Sequence, residues 1–235
     1  DNIEVILSKN LGMGAGNNIG LRMCKTNYAF VLNPDTKLFG DTLNIMIDEL
    51  GKVPEFTLAS PLNDDLKIPN YKIFNKQNNF NENIVSVDRI DGFSMLFNLN
   101  KFKDKNFFDE SFFLYLENDD LCLRIKRKKE IIYLLKKSLI NHSGGISKNY
   151  DLECLRNWHW MWSKFYFNKK NFGYFKALVI IMPNIITSLL KIILYTIIPN
   201  NFKKKIYKMR FLGSINSIIG KKSFMRLENI NVKEN

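Results

Sequence analysis

Short apolar runs alternate with helical stretches over the first 150 residues, and this alternation limits the fold more than any other feature of the chain. Runs of about five apolar residues between turn formers suit strands, and apolar residues every three or four positions suit helices, so the expected class is α/β. Residues 3–7 read as a first strand, followed by a Gly-rich turn at Gly12, Gly14 and Gly16 and a helix to about Lys25. Tyr28–Leu32 is the next strand; it stops at Asn33-Pro34-Asp35-Thr36, because Pro34 has no N–H to give a ladder. Asp35 therefore emerges at the strand's C-terminal edge, where open α/β sheets keep their ligands. Residues 42–50 read as a helix, 56–60 as a strand, and 63–83 as an Asn-rich surface loop or irregular hairpin. A loop and strand at 88–99, a helix at 117–129 with an acidic start and a basic end, and a buried strand at 131–135 follow. The loop from Asn141 to Gly145 closes this part.

Near Asp151 the composition turns aromatic, basic and helical, which sets the expected boundary between a domain at 1–150 and a helical segment at 151–235. The first part carries 20 Lys/Arg against 19 Asp/Glu and the second 15 against 4, so nearly all of the net charge of +12 sits in the tail. A nucleic-acid enzyme would spread positive charge through its folded domain, whereas basic residues beside an apolar segment suit an anionic membrane surface. Residues 177–199 are long enough to span a bilayer but are interrupted by Pro183, Asn184 and Lys191. Asn184, Thr187, Ser188, Lys191 and Tyr195 recur at helical spacing as one polar stripe, which favours a helix lying in the interface, with Lys203, Lys204, Lys205, Lys208 and Arg210 meeting headgroups. The bland alternative packs the apolar face on the α/β domain or on a second copy. Three cysteines, Cys24, Cys122 and Cys154, have neither paired nor metal-type spacing, so no disulfide framework or zinc site is expected and a reducing compartment fits.

Three positions carry chemistry on residue type and placement. Asp35, at its strand end, either caps the helix after it or holds a cation. Glu117, Asp119 and Asp120 crowd one helix start, where they either complement the helix dipole or raise one another's pKa toward that of a general base. His142 follows a strand and precedes two glycines, so its imidazole reaches the ligand edge or is simply solvated.

Four segments in this order resemble the family 2 glycosyltransferases, particularly their rhamnosyltransferase-like branch. They are Asn10-Leu11-Gly12 through Asn17-Asn18-Ile19-Gly20; Leu32-Asn33-Pro34-Asp35-Thr36; Val87-Asp88 with Asp91-Gly92 and the run from Phe108 to Arg124; and His142-Ser143-Gly144-Gly145-Ile146-Ser147. The resemblance implies a GT-A (Rossmann-like) mixed sheet flanked by helices. It implies inverting transfer of a sugar, such as rhamnose or another deoxysugar, from a UDP- or dTDP-sugar to a saccharide or lipid-linked acceptor in surface polysaccharide synthesis. It places a divalent cation, Mg²⁺ or Mn²⁺, on Asp35 with His142 contacting metal or diphosphate. Asn10, Gly12, Asn17, Asn18, Gly20 and Asn33 fall on the donor side and Asp91 on the acceptor side. The family's acidic motif usually carries Glu-Asp-x-Asp; Asn118 here cannot be a base, which leaves Glu117 first, Asp119 second and Asp120 in the same cluster.

The resemblance also places the strands that grip the nucleotide base ahead of the Gly-rich loop, and the opening Asp1-Asn2-Ile3-Glu4 has no initiating Met, so an N-terminally incomplete sheet that is inactive alone is expected. Localisation follows as peripheral, at the cytoplasmic face of the cell membrane, with a homo-oligomer as an option and no nucleic acid. The rivals are a basic membrane-binding protein without catalysis and a different metal-dependent phosphoryl enzyme.

Overall fold

The computed structural model describes residues 3–53, 55–74, 80–142 and 149–226. It is a mixed α/β structure with a mixed sheet flanked by helices and a C-terminal helical segment, and it divides into two compact units. One comprises residues 15–109 and 117–145, and the other residues 1–14, 110–116 and 146–235.

In the first unit the strands are β1 (Tyr28–Leu32), β2 (Thr36–Leu38), β3 (Leu58–Asn63), β4 (Tyr71–Lys72), β5 (Ile84–Ser86), β6 (Arg89–Ile90), β7 (Ser94–Asn98) and β8 (Ile132–His142). The main sheet has six strands, ordered β1-β7-β3-β8-β2 with β5 also on β8, and β4, in the Asn-rich excursion, pairs separately with β6 beyond it. Among the described strands only β3 and β8 run parallel. Their side chains alternate between two cores, as a two-residue period requires. Leu58, Ile132 and Leu134 join Met95, Phe97, Leu121 and Ile125 on one face. Ala59, Tyr133 and Leu135 join Met46, Val53 and Phe56 on the other. Helix α3 (Glu117–Arg127) covers the first face and α2 (Thr42–Leu50) the second. Helix α1 (Met13–Met23) contributes Leu21 to the first.

Several sequence expectations shift. Strand β3 runs on through Pro61, and beside it the register with β8 jumps from Leu135 to Leu139. Pro61 gives no N–H to the ladder, so this is where the pairing tolerates extra residues. Strand β8 continues seven residues beyond Leu135 and takes in Asn141 and His142, both expected in a loop, because Lys37 and Thr36 of β2 pair with them. Residues 3–7 form no strand, and Ile3, Val5 and Leu7 are exposed. Their apolar, β-branched character is a preference only; a strand exists where an edge satisfies its backbone groups. The Ser143–Ser147 part of the His-x-Gly resemblance lies outside the described residues.

The second unit is built on α4 (Tyr150–Phe172), α5 (Tyr174–Ile197) and α6 (Asn201–Ile218), all three packed on one another. Gly173, at φ 92°, turns the chain from α4 into α5. Gly213 lets α6 meet α4: a Cβ there would overlap the carbonyl of Trp158. Buried His159 bonds Met225 O through Nε2 at 2.7 Å and Ser223 Oγ through Nδ1 at 2.9 Å. A carbonyl only accepts, so Nε2 donates; burial pulls the ring's pKa down to about 4, which keeps it neutral at pH 7 with Nδ1 accepting from Ser223. Most of the expected polar stripe of α5 turns away from water: Ser188 is buried, Asn184 accepts from Lys164 Nζ at 2.8 Å, Tyr195 stacks on Tyr207 and Lys191 is half-buried, while Thr187 stays exposed. All three described cysteines are free thiols, with Cys122 and Cys154 buried.

Candidate active site

At the end of β1, Asn33 N donates to Phe93 O at 2.9 Å and Thr36 N to Asn33 O at 3.1 Å. The four residues thus form a turn with Pro34 at its second position, where a fixed φ is favoured, and Asp35 at its tip. The chain re-enters the sheet at once, pairing Thr36 with His142. That register sets His142 Nε2 3.3 Å from Asp35 Oδ2. The imidazole is held in three ways. Its backbone N–H donates to Asn63 Oδ1 at 3.2 Å, its strand is paired, and Phe93 stacks on it at 4.0 Å with 6° between planes. Asp35 remains 41% exposed and His142 20%, so the pair is open to a ligand.

Two residues before Phe93, Asp91 begins the acidic group. Arg89 on β6 reaches Asp91 Oδ1 at 3.2 Å and Asp119 Oδ1 at 2.6 Å, joining the loop to the first turn of α3. In that turn the four residues part company. Glu117 is 4% exposed, and its Oε2 has no hydrogen-bond partner among the described residues. Burial pushes its pKa up to about 7, with Asp119 adding repulsion. Asn118 donates to Ile90 O at 3.0 Å. Burial also raises the Asp119 pKa, against the pull of the Arg89 guanidinium. Asp120 is fully buried and bonded by Arg124 Nε at 3.0 Å, while the same guanidinium donates to the carbonyls of Asn106 and Phe107. Asp120 thus anchors the 106–107 segment through Arg124 and has no open oxygen face toward solvent, unlike its expected place among the catalytic acids. The chain enters α3 through two left-handed non-glycine residues, Tyr115 at φ 72° and Leu116 at φ 67°.

The Gly-rich segment serves the backbone. Asn10 Oδ1 accepts from Gly12 N at 3.2 Å, and Met13 N donates to Phe113 O at 3.1 Å. Gly12 has φ 100°, and a Cβ there would overlap Phe113 O, so glycine is required for the close approach. On α1, Asn18 is fully buried and exchanges two bonds with Phe108, Nδ2 to O at 2.9 Å and N to Oδ1 at 3.0 Å. An amide expected to point at a donor is committed to strapping a loop. Asn17 is half-buried, and a Cβ on Gly20 would meet open space.

Sequence reasoning passed over Arg89 and Phe93. A lone cation inside the Asp88–Asp91 run was the signal for the first. For the second there was none, because stacking depends on strand register. No group of three or more His, Cys, Asp or Glu that would hold a metal occurs among the described residues.

No known protein family matches the sequence, and no curated protein does. Among solved structures, a mannosyltransferase from Pyrobaculum calidifontis, in complex with GDP-mannose and Mn²⁺, is similar with a TM-score of 0.49 and 10% identity, over 90% of this chain and 68% of that one. At that distance no residue role passes from one chain to the other.

Proposed function

We propose that the chain is the catalytic part of a glycosyltransferase that moves a sugar from a nucleotide diphosphate to an acceptor hydroxyl with inversion. The observation that supports this best is the buried, partner-free oxygen of Glu117 in the same unit as the solvent-open Asp35–His142 pair. A group with a pKa near 7 is poised to accept a hydroxyl proton at neutral pH. The acceptor oxygen then attacks the anomeric carbon as the bond to the diphosphate oxygen breaks, and the proton stays on Glu117. Arg89 fixes Asp91 and Asp119 as hydrogen-bond acceptors beside it, on the side where acceptor hydroxyls would dock.

Asp35 and His142 would hold the divalent cation. Their 3.3 Å separation is near the ~3 Å between neighbouring ligands of one octahedral ion. One carboxylate and one imidazole suit Mn²⁺ better than Mg²⁺, which prefers oxygen throughout. When bound, the ion would neutralise charge on the leaving diphosphate. Within this reading the finer assignments are a family 2, GT-A enzyme, a UDP- or dTDP-linked deoxysugar such as rhamnose, and a lipid-linked saccharide acceptor at the cytoplasmic face of the membrane.

Calorimetry with Mn²⁺ and UDP tests the metal half: Asp35→Ala and His142→Ala should each weaken metal-dependent nucleotide binding by about tenfold or more. Unchanged affinity in both would remove the pair from the site. Transfer is assayed with UDP- and dTDP-sugars, on this chain alone and on the longest polypeptide that carries it.

A further inference from the structure

The outward side of α5 is apolar from end to end. Phe175, Val179, Ile186, Leu190, Ile193 and Ile197 are 51–83% exposed and recur at three- or four-residue steps, with Met182 and Leu189 filling the same stripe. The opposite side, Ala177, Ile181, Ile185 and Ser188, is buried against Met161 and Phe165 of α4 and Phe211, Ile215 and Ile218 of α6. This inverts the usual surface helix, which turns its polar face to water. The helix hydroxyls are also already satisfied within it: Thr187 donates to Pro183 O at 2.7 Å, Ser188 to Asn184 O at 2.6 Å and Thr196 to Ile192 O at 2.8 Å. Such hydroxyls ask nothing of a solvent.

We infer that this face is a monotopic membrane-docking surface, laid into the interfacial region of an anionic bilayer with α5 parallel to the membrane plane. This holds whether or not the unit of residues 15–109 and 117–145 transfers sugar. Charge selects the occupant. Between 149 and 226 there are fourteen Lys/Arg against two Asp/Glu, so a second copy would bring the same positive field to the contact, whereas anionic lipid brings the opposite one. Lys203, in the first turn of α6, is exposed and reaches back over the Tyr195 ring of α5 at 5.6 Å, and Lys176 lies over Phe172 at 4.9 Å. Cations and aromatic rings therefore stand at both ends of the apolar stripe, at the level where headgroups begin.

Length and composition alone would also allow a transmembrane span, since α5 has 24 residues and contains an 18-residue stretch with a mean hydropathy of 2.2. Packing argues against it. Tyr174 meets Phe165 of α4 at one end, at 5.7 Å between rings, and Tyr195 stacks on Tyr207 of α6 at the other, at 5.9 Å. A helix packed on both α4 and α6 cannot cross without drawing in Lys164 of α4, whose Nζ reaches Asn184 in the middle of α5 at 2.8 Å, and Arg210 of α6 beside it. Lying flat exposes only the apolar side to lipid.

The test is cosedimentation of the 235-residue chain with phosphatidylcholine vesicles, with and without phosphatidylglycerol. Binding should require the anionic lipid and weaken with salt. Ile186→Glu with Leu190→Glu should reduce the partition coefficient by at least about tenfold, and Lys203→Gln with Lys204→Gln by about thirtyfold. Circular dichroism and the thermal midpoint should be unchanged in the first pair, since both side chains are exposed. Ile186→Cys, labelled in a Cys24→Ser background, should be quenched by shallow and not by deep lipid-attached quenchers. Deep quenching would mean a span and overturn the flat orientation. Equal binding to neutral vesicles, unchanged binding in the glutamate variant, or a stable dimer that excludes lipid would overturn the docking surface itself.

Discussion

Glu117 shows most directly how a residue's role depends on its surroundings. Its pKa of about 7 against an ordinary 4.5 means that folding favours its neutral form. Its stabilising contribution is present below about pH 4.5 and is lost as pH rises through about 7, where ionisation costs at most about 3 kcal/mol. Glu117→Gln should therefore stabilise the fold at pH 8 and lose that advantage at pH 4, as read by urea midpoints across pH. The same variant should lower kcat at least about a hundredfold with little change in donor affinity, and the wild-type rate should rise through about pH 7. A loss of donor affinity alone would assign Glu117 to binding. Arg89 is the second such residue, bridging Asp91 and Asp119. Arg89→Met leaves two carboxylates facing each other with one of them 13% exposed, and should cost about 1–3 kcal/mol at pH 8. The cost should shrink toward pH 4 as the acids protonate; a pH-independent loss would point to packing alone.

Among the elements, the helix at Thr42–Leu50 and the strand at Tyr28–Leu32 were legible to the residue, because local periodicity and bounding turns agreed with the final environment. Strand β8 was legible only in its apolar half. Its remainder, with Lys136 and Lys137 exposed, is a strand because β2 pairs there, which no local preference announces. The same tertiary override works against residues 3–7, whose preference found no edge. Helix contacts were equally hidden: Gly213 reads as a weak point in α6 but is the place where α6 touches Trp158. Gly213→Ala should push the two helices apart and cost about 1–3 kcal/mol, visible as a lower thermal midpoint, whereas an exposed helical glycine would gain from the same change.

Over the whole molecule, the two units carry buried titrating groups of opposite sign. His159, with its pKa down at about 4, contributes stability above about pH 6.5 that is lost as pH falls through 4, while Glu117 does the reverse in the α/β unit. Hydrogen exchange resolved by segment should show α4–α6 weakening on acidification from pH 7 to pH 4.5, and His159→Gln should flatten that slope. A slope unchanged in the variant would acquit His159. The sequence by itself determined the α/β class, the position of Asp35 at a strand end, the acidic start of α3 and the basic tail, since each follows from local periodicity, a proline's missing N–H or a count of charges. Only the tertiary structure decided that His142 meets Asp35, that Asp120 is taken up by Arg124 and Asn18 by the Phe108 backbone, that Arg89 binds two acids, and that α5 turns most of its polar stripe inward. These depend on strand register and helix facing, where a shift of one residue exchanges the buried side for the exposed one.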